Sequence, residues 1–211
     1  MNKLFDPPHF GKDGKRRNGP ILSDFVLVFI DDILVFSKTA EEHTKHLQIV
    51  FDLLRKEKLQ IKPSKYAWGQ TELPYLGFIV GRDGIKPDPN KVEAVTTWPT
   101  PTTVKEVQQF LGLTNFFRKF ILGHAKLVAP IIELTKKTVE WNWSAECKQA
   151  FEKLKLALVG APVLAIPDPT APFDLITDSC GYGIGAVLMQ HDKPVAFYSR
   201  KMTDAERNYA P

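Results

Sequence analysis

Two adjacent carboxylates, Asp31 and Asp32, interrupt an apolar stretch that reads FVLVFIDDILVFS between Phe25 and Ser37. Ionised groups in apolar surroundings are costly unless a partner compensates them. The pattern therefore predicts a β-hairpin with two buried apolar arms and the aspartate pair at its turn. This turn lacks Asn-Gly or any other favoured turn dipeptide, so a role in stabilising the fold is a poor explanation for the two charges there. Two hard oxygen ligands at a strand end suit Mg²⁺, and an acidic surface hairpin is the alternative.

Asp178 is a second candidate carboxylate, because it directly follows the loosely alternating run Phe173–Thr177. Further strands are predicted over Ile184–Met189 and Pro194–Ser199, followed by a helix that opens with the capping box of Thr203 and Glu206. Taken alone, Asp178 fits a turn residue at the end of a strand as well as it fits a metal ligand. Two-metal phosphoryl chemistry needs several converging carboxylates, so one aspartate does not supply it.

Between the two carboxylate sites, capping residues and helical periodicity predict helices over 39–58, 88–98, 103–121, 125–137 and 144–159. Tyr75–Val80 is predicted to be a strand. The helix over 103–121 carries phenylalanines, most of which we assign to the core. Aromatic and basic side chains on a helix can follow a nucleic-acid backbone. Its basic residues Lys105, Arg118 and Lys119 are the candidates for phosphate contact.

The composition is that of a soluble protein, with 211 residues, 44% hydrophobic and 25% charged residues, a net charge of +4 and a pI of about 8.9. This basic bias permits nucleic-acid binding without showing it. The two distant cysteines predict a reduced intracellular protein, and nothing separates cytoplasm from nucleus. No apolar run reaches membrane-spanning length, so no membrane partner is predicted. Residues 1–21 form a polar, basic leader that we predict to be disordered.

Several motifs together resemble one family. Phe29-Ile30-Asp31-Asp32 resembles the Tyr-x-Asp-Asp motif in the palm of reverse transcriptases, and VFIDDILVFSKTAEEH is similar to the gypsy-type branch of long-terminal-repeat retrotransposons. The segment Tyr75-Leu76-Gly77-Phe78 resembles the primer grip of that family. Phe116 and Phe117 fall where its thumb often carries two tyrosines. The strands around Asp178 resemble the opening strands of the ribonuclease H domain. Asp178 would correspond to the first metal-binding aspartate of that domain.

The resemblance covers about residues 22–210 and implies an α+β fold. Its parts would be the C-terminal part of a palm (22–86), a thumb (87–137), a connection (138–171) and the start of a ribonuclease H-like mixed sheet (172–211). Asp31, Asp32 and Asp178 would be catalytic Mg²⁺ ligands. The partners implied are an RNA–DNA hybrid or primer-template nucleic acid, together with deoxynucleotides in the parent enzyme.

The parent function that the resemblance implies is RNA-directed DNA synthesis with hydrolysis of the RNA strand. The family's third polymerase aspartate, and its later ribonuclease H acids, have no match among these 211 residues. We therefore expect both active sites to be incomplete and the isolated chain to be inactive. A non-catalytic nucleic-acid-binding module and a decayed, poorly folding retroelement product are the alternatives.

Overall fold

The computed structural model describes residues 24–181 and 183–208. The predicted disorder of the leader lies outside these residues. The chain divides between Gln70 and Thr71 into two compact units, each described below by itself. The domain bounds expected from the resemblance stay predictions.

The first unit is a hairpin packed on one helix. Strands β1 (Val26–Phe29) and β2 (Asp32–Val35) pair antiparallel, and α1 (Ala40–Lys56) follows. Alternate apolar side chains of the hairpin pack with the helix. The prediction of two buried arms is wrong for the opposite face, where Leu27 and Phe29 are about half exposed. The buried core of this unit comes from the start of the hairpin and from α1, and Ile33 and Val35 of β2 pack against it partly buried. Its buried residues are Phe25, Val26, Val50 and Leu54.

A cluster of hydrogen bonds fixes the start of α1. The Thr39 side chain accepts a hydrogen bond from the backbone N–H of Glu42 at 3.2 Å, which satisfies one free donor of the first turn. Ser37 Oγ lies 3.1 Å from Nδ1 of His43 and 2.7 Å from Nδ1 of His46. The His46 Nδ1 also lies 3.2 Å from the Phe36 carbonyl, which only accepts. We therefore assign the proton to His46 Nδ1 and let the Ser37 hydroxyl donate to His43.

The second unit begins with a three-stranded antiparallel sheet of β3 (Glu72–Tyr75), β4 (Phe78–Gly81) and β5 (Gly84–Pro87), in that order. Four helices follow: α2 (Pro89–Thr96), α3 (Val104–Phe116), α4 (His124–Glu133) and α5 (Ala145–Val159). A backbone bridge holds the sheet to the segment after α5, because Ile85 and Leu164 exchange two hydrogen bonds of 2.8 Å.

The helix predicted over 103–121 is shorter than expected. It ends at Phe116, and a 3₁₀ turn covers Arg118–Phe120. The buried Thr114 hydroxyl donates to the Phe110 carbonyl at 3.1 Å, a local bond that favours bending at the end of a helix. The change in direction places Phe117 and Phe120 in the core, where both are fully buried.

The apolar core of the second unit joins the helices, with Phe110 and Phe151 rings 4.5 Å apart between centroids. A second sheet contains β6 (Asp174–Cys180), β7 (Gly183–Gln190) and β8 (Lys193–Lys201), and a short helix α6 (Asp204–Arg207) follows. The β-β-β-α order predicted for this region is confirmed. None of the described helices is long and apolar enough to cross a bilayer.

The buried amide of Gln190 joins β7 to the segment before β6. Its Oε1 accepts from the Asp168 N–H, and its Nε2 donates to the Asp168 carbonyl, both at 2.8 Å. At the opposite end of the same sheet, the N–H of Ala125 donates to Ser199 Oγ at 2.9 Å. The Gln190 bonds hold β7 to the segment before β6, and the Ser199 bond holds β8 to α4. They stabilise the native packing because buried polar groups are costly when unpaired.

Gly84 lies where the backbone of β5 meets Leu164. Its φ is +135°, and a Cβ at this position would lie 2.1 Å from the Leu164 carbonyl oxygen. We predict that Gly84→Ala lowers the free energy of unfolding by about 2 kcal/mol or more, because both the clash and the backbone strain oppose the native packing. Urea unfolding followed by circular dichroism measures this change. Gly112→Ala is the control, since Gly112 meets nothing within 4 Å, and equal effects of the two variants would contradict the prediction.

His124, the first residue of α4, is only 8% exposed, and its Nε2 has no hydrogen-bond partner among the described residues. Burial, assisted by the charge of Arg118, lowers the pKa of His124 to about 4. The unfolded chain has the ordinary histidine pKa of about 6.5. Between these two pH values, His124 therefore carries a proton in the unfolded state but stays neutral in the native state.

We predict that the free energy of unfolding falls by about 2 kcal/mol between pH 7 and pH 4.5 through His124. His124→Phe should remove that part of the pH dependence, because the ring remains and the proton does not. Urea midpoints at the two pH values measure the difference. His191→Asn, at an exposed histidine, should leave the pH dependence intact. An unchanged pH dependence in His124→Phe would disprove the assignment.

Candidate nucleic-acid interface

The segment Tyr75–Val80 is a hairpin, so the prediction of a single strand there is wrong. Tyr75 pairs with Phe78 across a two-residue turn, in which φ is +51° at Leu76 and +80° at Gly77. Positive φ at both central residues is typical of the tight turns that suit the twist of a hairpin. Glycine adopts this conformation without strain, whereas leucine does so rarely.

The tip of this hairpin lies against the end of α3. The Phe78 and Phe116 rings stack with centroids 4.8 Å apart and planes 11° from parallel. Phe117 meets Phe78 edge-on at 5.9 Å. A Cβ on Gly77 would lie 3.1 Å from Phe116 Cε1, so a small residue is needed for this close approach. Two residues of the primer-grip-like segment, Gly77 and Phe78, therefore lie directly against the end of the predicted thumb helix.

Lys119 places a positive charge at the same cluster. Its Nζ lies 4.2 Å from the centroid of Phe78 and 5.3 Å from that of Phe120, in cation–π geometry. Burial lowers the pKa of Lys119 from its usual value. A partly desolvated ammonium on a rigid aromatic surface is well placed to bind a phosphate, because hydrogen bonds donated to the phosphate oxygens would replace the lost bonds to water.

The other two basic candidates occupy different places. Arg118 is exposed beside Lys119 in the 3₁₀ turn. Lys105 lies in the first turn of α3, about 16 Å along the helix axis from Phe116 at the usual rise of about 1.5 Å per residue. The structure thus brings Lys119 to the hairpin tip and leaves Lys105 at the opposite end of the helix.

Asp31 and Asp32 lie at the tip of the β1–β2 hairpin. The turn consists of Ile30, with a φ of +53°, and Asp31, while Asp32 already belongs to β2 and pairs with Phe29. Both aspartates are exposed. Their carboxylate oxygens are the hard donors that Mg²⁺ prefers, so this donor set fits the ion. No group of three His, Cys, Asp or Glu suited to a metal occurs among the residues described.

Asp178 lies within β6 and not at the end of the strand, opposite Gly185 of β7. The prediction that the first strand ends before Asp178 is wrong, because the ladder continues to Cys180. Asp178 is exposed, as is every residue of β6. Its carboxylate is accessible to an ion.

Phe116 matches one of the two thumb tyrosines in the family resemblance, but it was not among the predicted nucleic-acid-binding residues. It is 49% exposed, although its neighbour Phe117 is fully buried. The sequence pattern assigns most phenylalanines of this helix to the core and therefore does not separate the exposed Phe116 from the buried Phe117. Phe116 is the last residue of the helix, and the resemblance of the Phe-Phe pair to the thumb tyrosines was the sequence signal for its role.

Comparisons with known proteins cover most of the chain. A family model of reverse transcriptase (RNA-dependent DNA polymerase) matches residues 2–80, and a model of the RNase H-like domain found in reverse transcriptase matches residues 143–211. The Pol polyprotein of transposon 297 from Drosophila melanogaster is 40% identical over 192 residues, which are 90% of this chain and 18% of the relative. The chain belongs to the reverse transcriptase and RNase H-like region of long-terminal-repeat retrotransposon Pol polyproteins.

Further matches support the same family and fold. The transposon Tf2-3 polyprotein of Schizosaccharomyces pombe is 36% identical over 209 residues, covering 97% of this chain and 16% of the relative. A foamy viral protease-reverse transcriptase in complex with double-stranded DNA has a TM-score of 0.80 at 26% identity, covering 88% of this chain and 34% of that one. The same enzyme with an RNA/DNA hybrid gives 0.79 at 27% identity, covering 88% of this chain and 26% of that one.

These findings confirm the predicted family and the α+β fold with palm, thumb and RNase H-like regions. The reverse transcriptase match begins at residue 2, so the expectation that the resemblance starts near residue 22 is wrong. The chain spans less than a fifth of the length of transposon 297 polyprotein. Reverse transcriptases generally use Mg²⁺.

Proposed function

We propose that this chain is the part of a retroelement polyprotein that holds primer-template nucleic acid, including an RNA–DNA hybrid, during RNA-directed DNA synthesis in the longer protein. The observation that carries the proposal is the position of Phe78 between the Phe116 ring and the Lys119 ammonium. This arrangement joins a hairpin tip to a helix end and leaves one aromatic ring and one cation accessible.

The contact with nucleic acid would be made to the backbone of a strand. Gly77 has no side chain, so the turn can approach a sugar or phosphate closely. Lys119 would pair with a phosphate, and Arg118 next to it would add a second positive charge. The exposed face of Phe116 would pack on a sugar or a terminal base. Backbone contacts of this kind carry no sequence information, so binding would be largely independent of sequence.

Asp31 and Asp32 would hold Mg²⁺ in the longer protein, together with ligands from outside the described residues. When bound, such ions activate the attacking 3′-oxygen and stabilise the charge of the leaving phosphate. Asp178 would supply one ligand for hydrolysis of the RNA strand in the RNase H-like region. A non-catalytic nucleic-acid-binding module is the second candidate function, because the grip of Phe78, Phe116 and Lys119 does not require either carboxylate site.

We predict that Lys119→Gln weakens binding to a 20-base-pair RNA–DNA hybrid and lowers the slope of log affinity against log salt concentration by about 0.9, the contribution of one phosphate contact. Fluorescence anisotropy at several salt concentrations measures both quantities. Lys153→Gln is the matched control, since Lys153 is exposed on α5 and carries the same charge.

Phe116→Leu tests the aromatic part of the same grip and should weaken hybrid binding without altering the salt slope. Circular dichroism confirms that each variant retains the wild-type fold. An affinity and salt slope of Lys119→Gln equal to those of Lys153→Gln would contradict the proposed grip.

We predict that the purified 211-residue chain performs no template-directed primer extension with Mg²⁺ or Mn²⁺, because Asp31 and Asp32 provide only two of the ligands that two-metal chemistry needs. A gel assay with a labelled primer on an RNA template, run beside an active reverse transcriptase, measures the product. Clear extension by the pure chain that is lost in the double variant Asp31→Asn, Asp32→Asn would refute the prediction.

A further inference from the structure

Two exposed aromatic rings of the first unit form a pair that the proposed grip does not use. Tyr66 and Trp68 stack with centroids 5.3 Å apart and planes 30° from parallel. They are 42% and 44% exposed. Trp68 also meets Phe51 of α1 edge-on at 5.7 Å, so the pair is anchored at its inner end and Tyr66 is outermost.

The backbone around the pair is held by local hydrogen bonds. A 3₁₀ turn at Pro63–Lys65 precedes it, in which the Tyr66 N–H donates to the Pro63 carbonyl at 3.3 Å. On the other side, Gln70 Nε2 donates to the Trp68 carbonyl at 3.0 Å, and Gly69 has a φ of +58°. The rings are therefore presented from an ordered segment, which reduces the entropy that a ligand would have to remove.

Positive charge is concentrated next to the rings. The segment 55–66 contains five basic residues and one acidic residue. Arg55 is paired with Asp52 at 3.1 Å. The remaining cations are exposed and, within the part of the chain that the structure describes, belong to none of its ion pairs: Lys56, Lys58, Lys62 and Lys65.

An accessible aromatic stack and unpaired lysines together fit one class of ligand. Single-stranded nucleic acid offers both flat bases and a chain of negative charges, and its bases are free to stack. A protein partner would favour an interface depleted of lysine, which this segment is not. A duplex would offer phosphates without accessible base faces.

We propose that Tyr66 and Trp68 form a stacking platform for unpaired bases of single-stranded RNA or DNA. The outer face of Tyr66 takes one base, and Lys62 and Lys65 pair with the adjoining phosphates. The platform is independent of the grip at Phe78 and Lys119, and it is tolerant of sequence because every base has a flat face.

The test uses the full chain and two 12-nucleotide probes, oligo(dT) and an abasic strand of the same length. Tyr66→Leu should weaken oligo(dT) binding about fivefold or more, the effect expected of one stacked base. It should not change binding of the abasic strand, which has phosphates but no bases. Tyr66→Phe should retain the wild-type affinity for both probes, because the ring is retained.

The charge of the platform is tested separately. Lys62→Gln with Lys65→Gln should lower the salt slope by about 1.4 on both probes, the value for two phosphates of a single strand. Lys148→Gln with Lys153→Gln, on exposed positions of α5, is the matched control. Tyr198→Leu removes a ring of similar exposure elsewhere and should not alter oligo(dT) binding.

The proposal is overturned if Tyr66→Leu leaves oligo(dT) binding unchanged or weakens both probes equally. It is also overturned if Tyr66→Leu changes only the oligomeric state in size-exclusion chromatography, since the rings would then be a protein contact. Binding of the blunt hybrid duplex should be unaffected by Tyr66→Leu and reduced by Lys119→Gln. Failure of the platform is thereby distinguished from failure of the grip.

Discussion

The stack of Phe78 on Phe116 is the interaction on which the proposed function depends. It joins the turn of a small sheet to the end of a helix far along the chain. Because Gly77 occupies almost no volume, the two backbones approach closely enough for the rings to overlap. Lys119 then lies over Phe78, where the aromatic face partly compensates its charge.

Much of the fold follows from local sequence rules. The apolar arms around Asp31 and Asp32 determine a hairpin, and the capping residue Ser144 correctly marks the start of α5. The helix break at Phe117 was not predictable from periodicity, because the pattern of phenylalanines continues through it. The hydrogen bond from the buried Thr114 hydroxyl to the Phe110 carbonyl favours bending there, and this bond depends on how Thr114 packs.

The candidate site was less predictable than the elements that carry it. The string LPYLGFIV has no polar residue to mark a turn, and Leu76 adopts a φ that leucine normally avoids. The neighbouring residues Gly77 and Phe78 lie against Phe116, and rules based on a single sequence do not include such a tertiary contact. Lys119 was identified by its charge, whereas the aromatic surface beneath it became apparent only in three dimensions.

The exposed strand β6 has a consequence for Asp178. Within the described sheet β6 pairs with β7 alone, and no side chain of β6 is buried. Few apolar contacts therefore oppose its detachment, so the free energy of local opening should be small and its amide hydrogens should exchange early. An ion held by Asp178 together with ligands on other elements would bind the attached strand better than the detached one, and would therefore favour attachment by mass action. In this region, metal binding and the ordering of the strand would be a single coupled equilibrium.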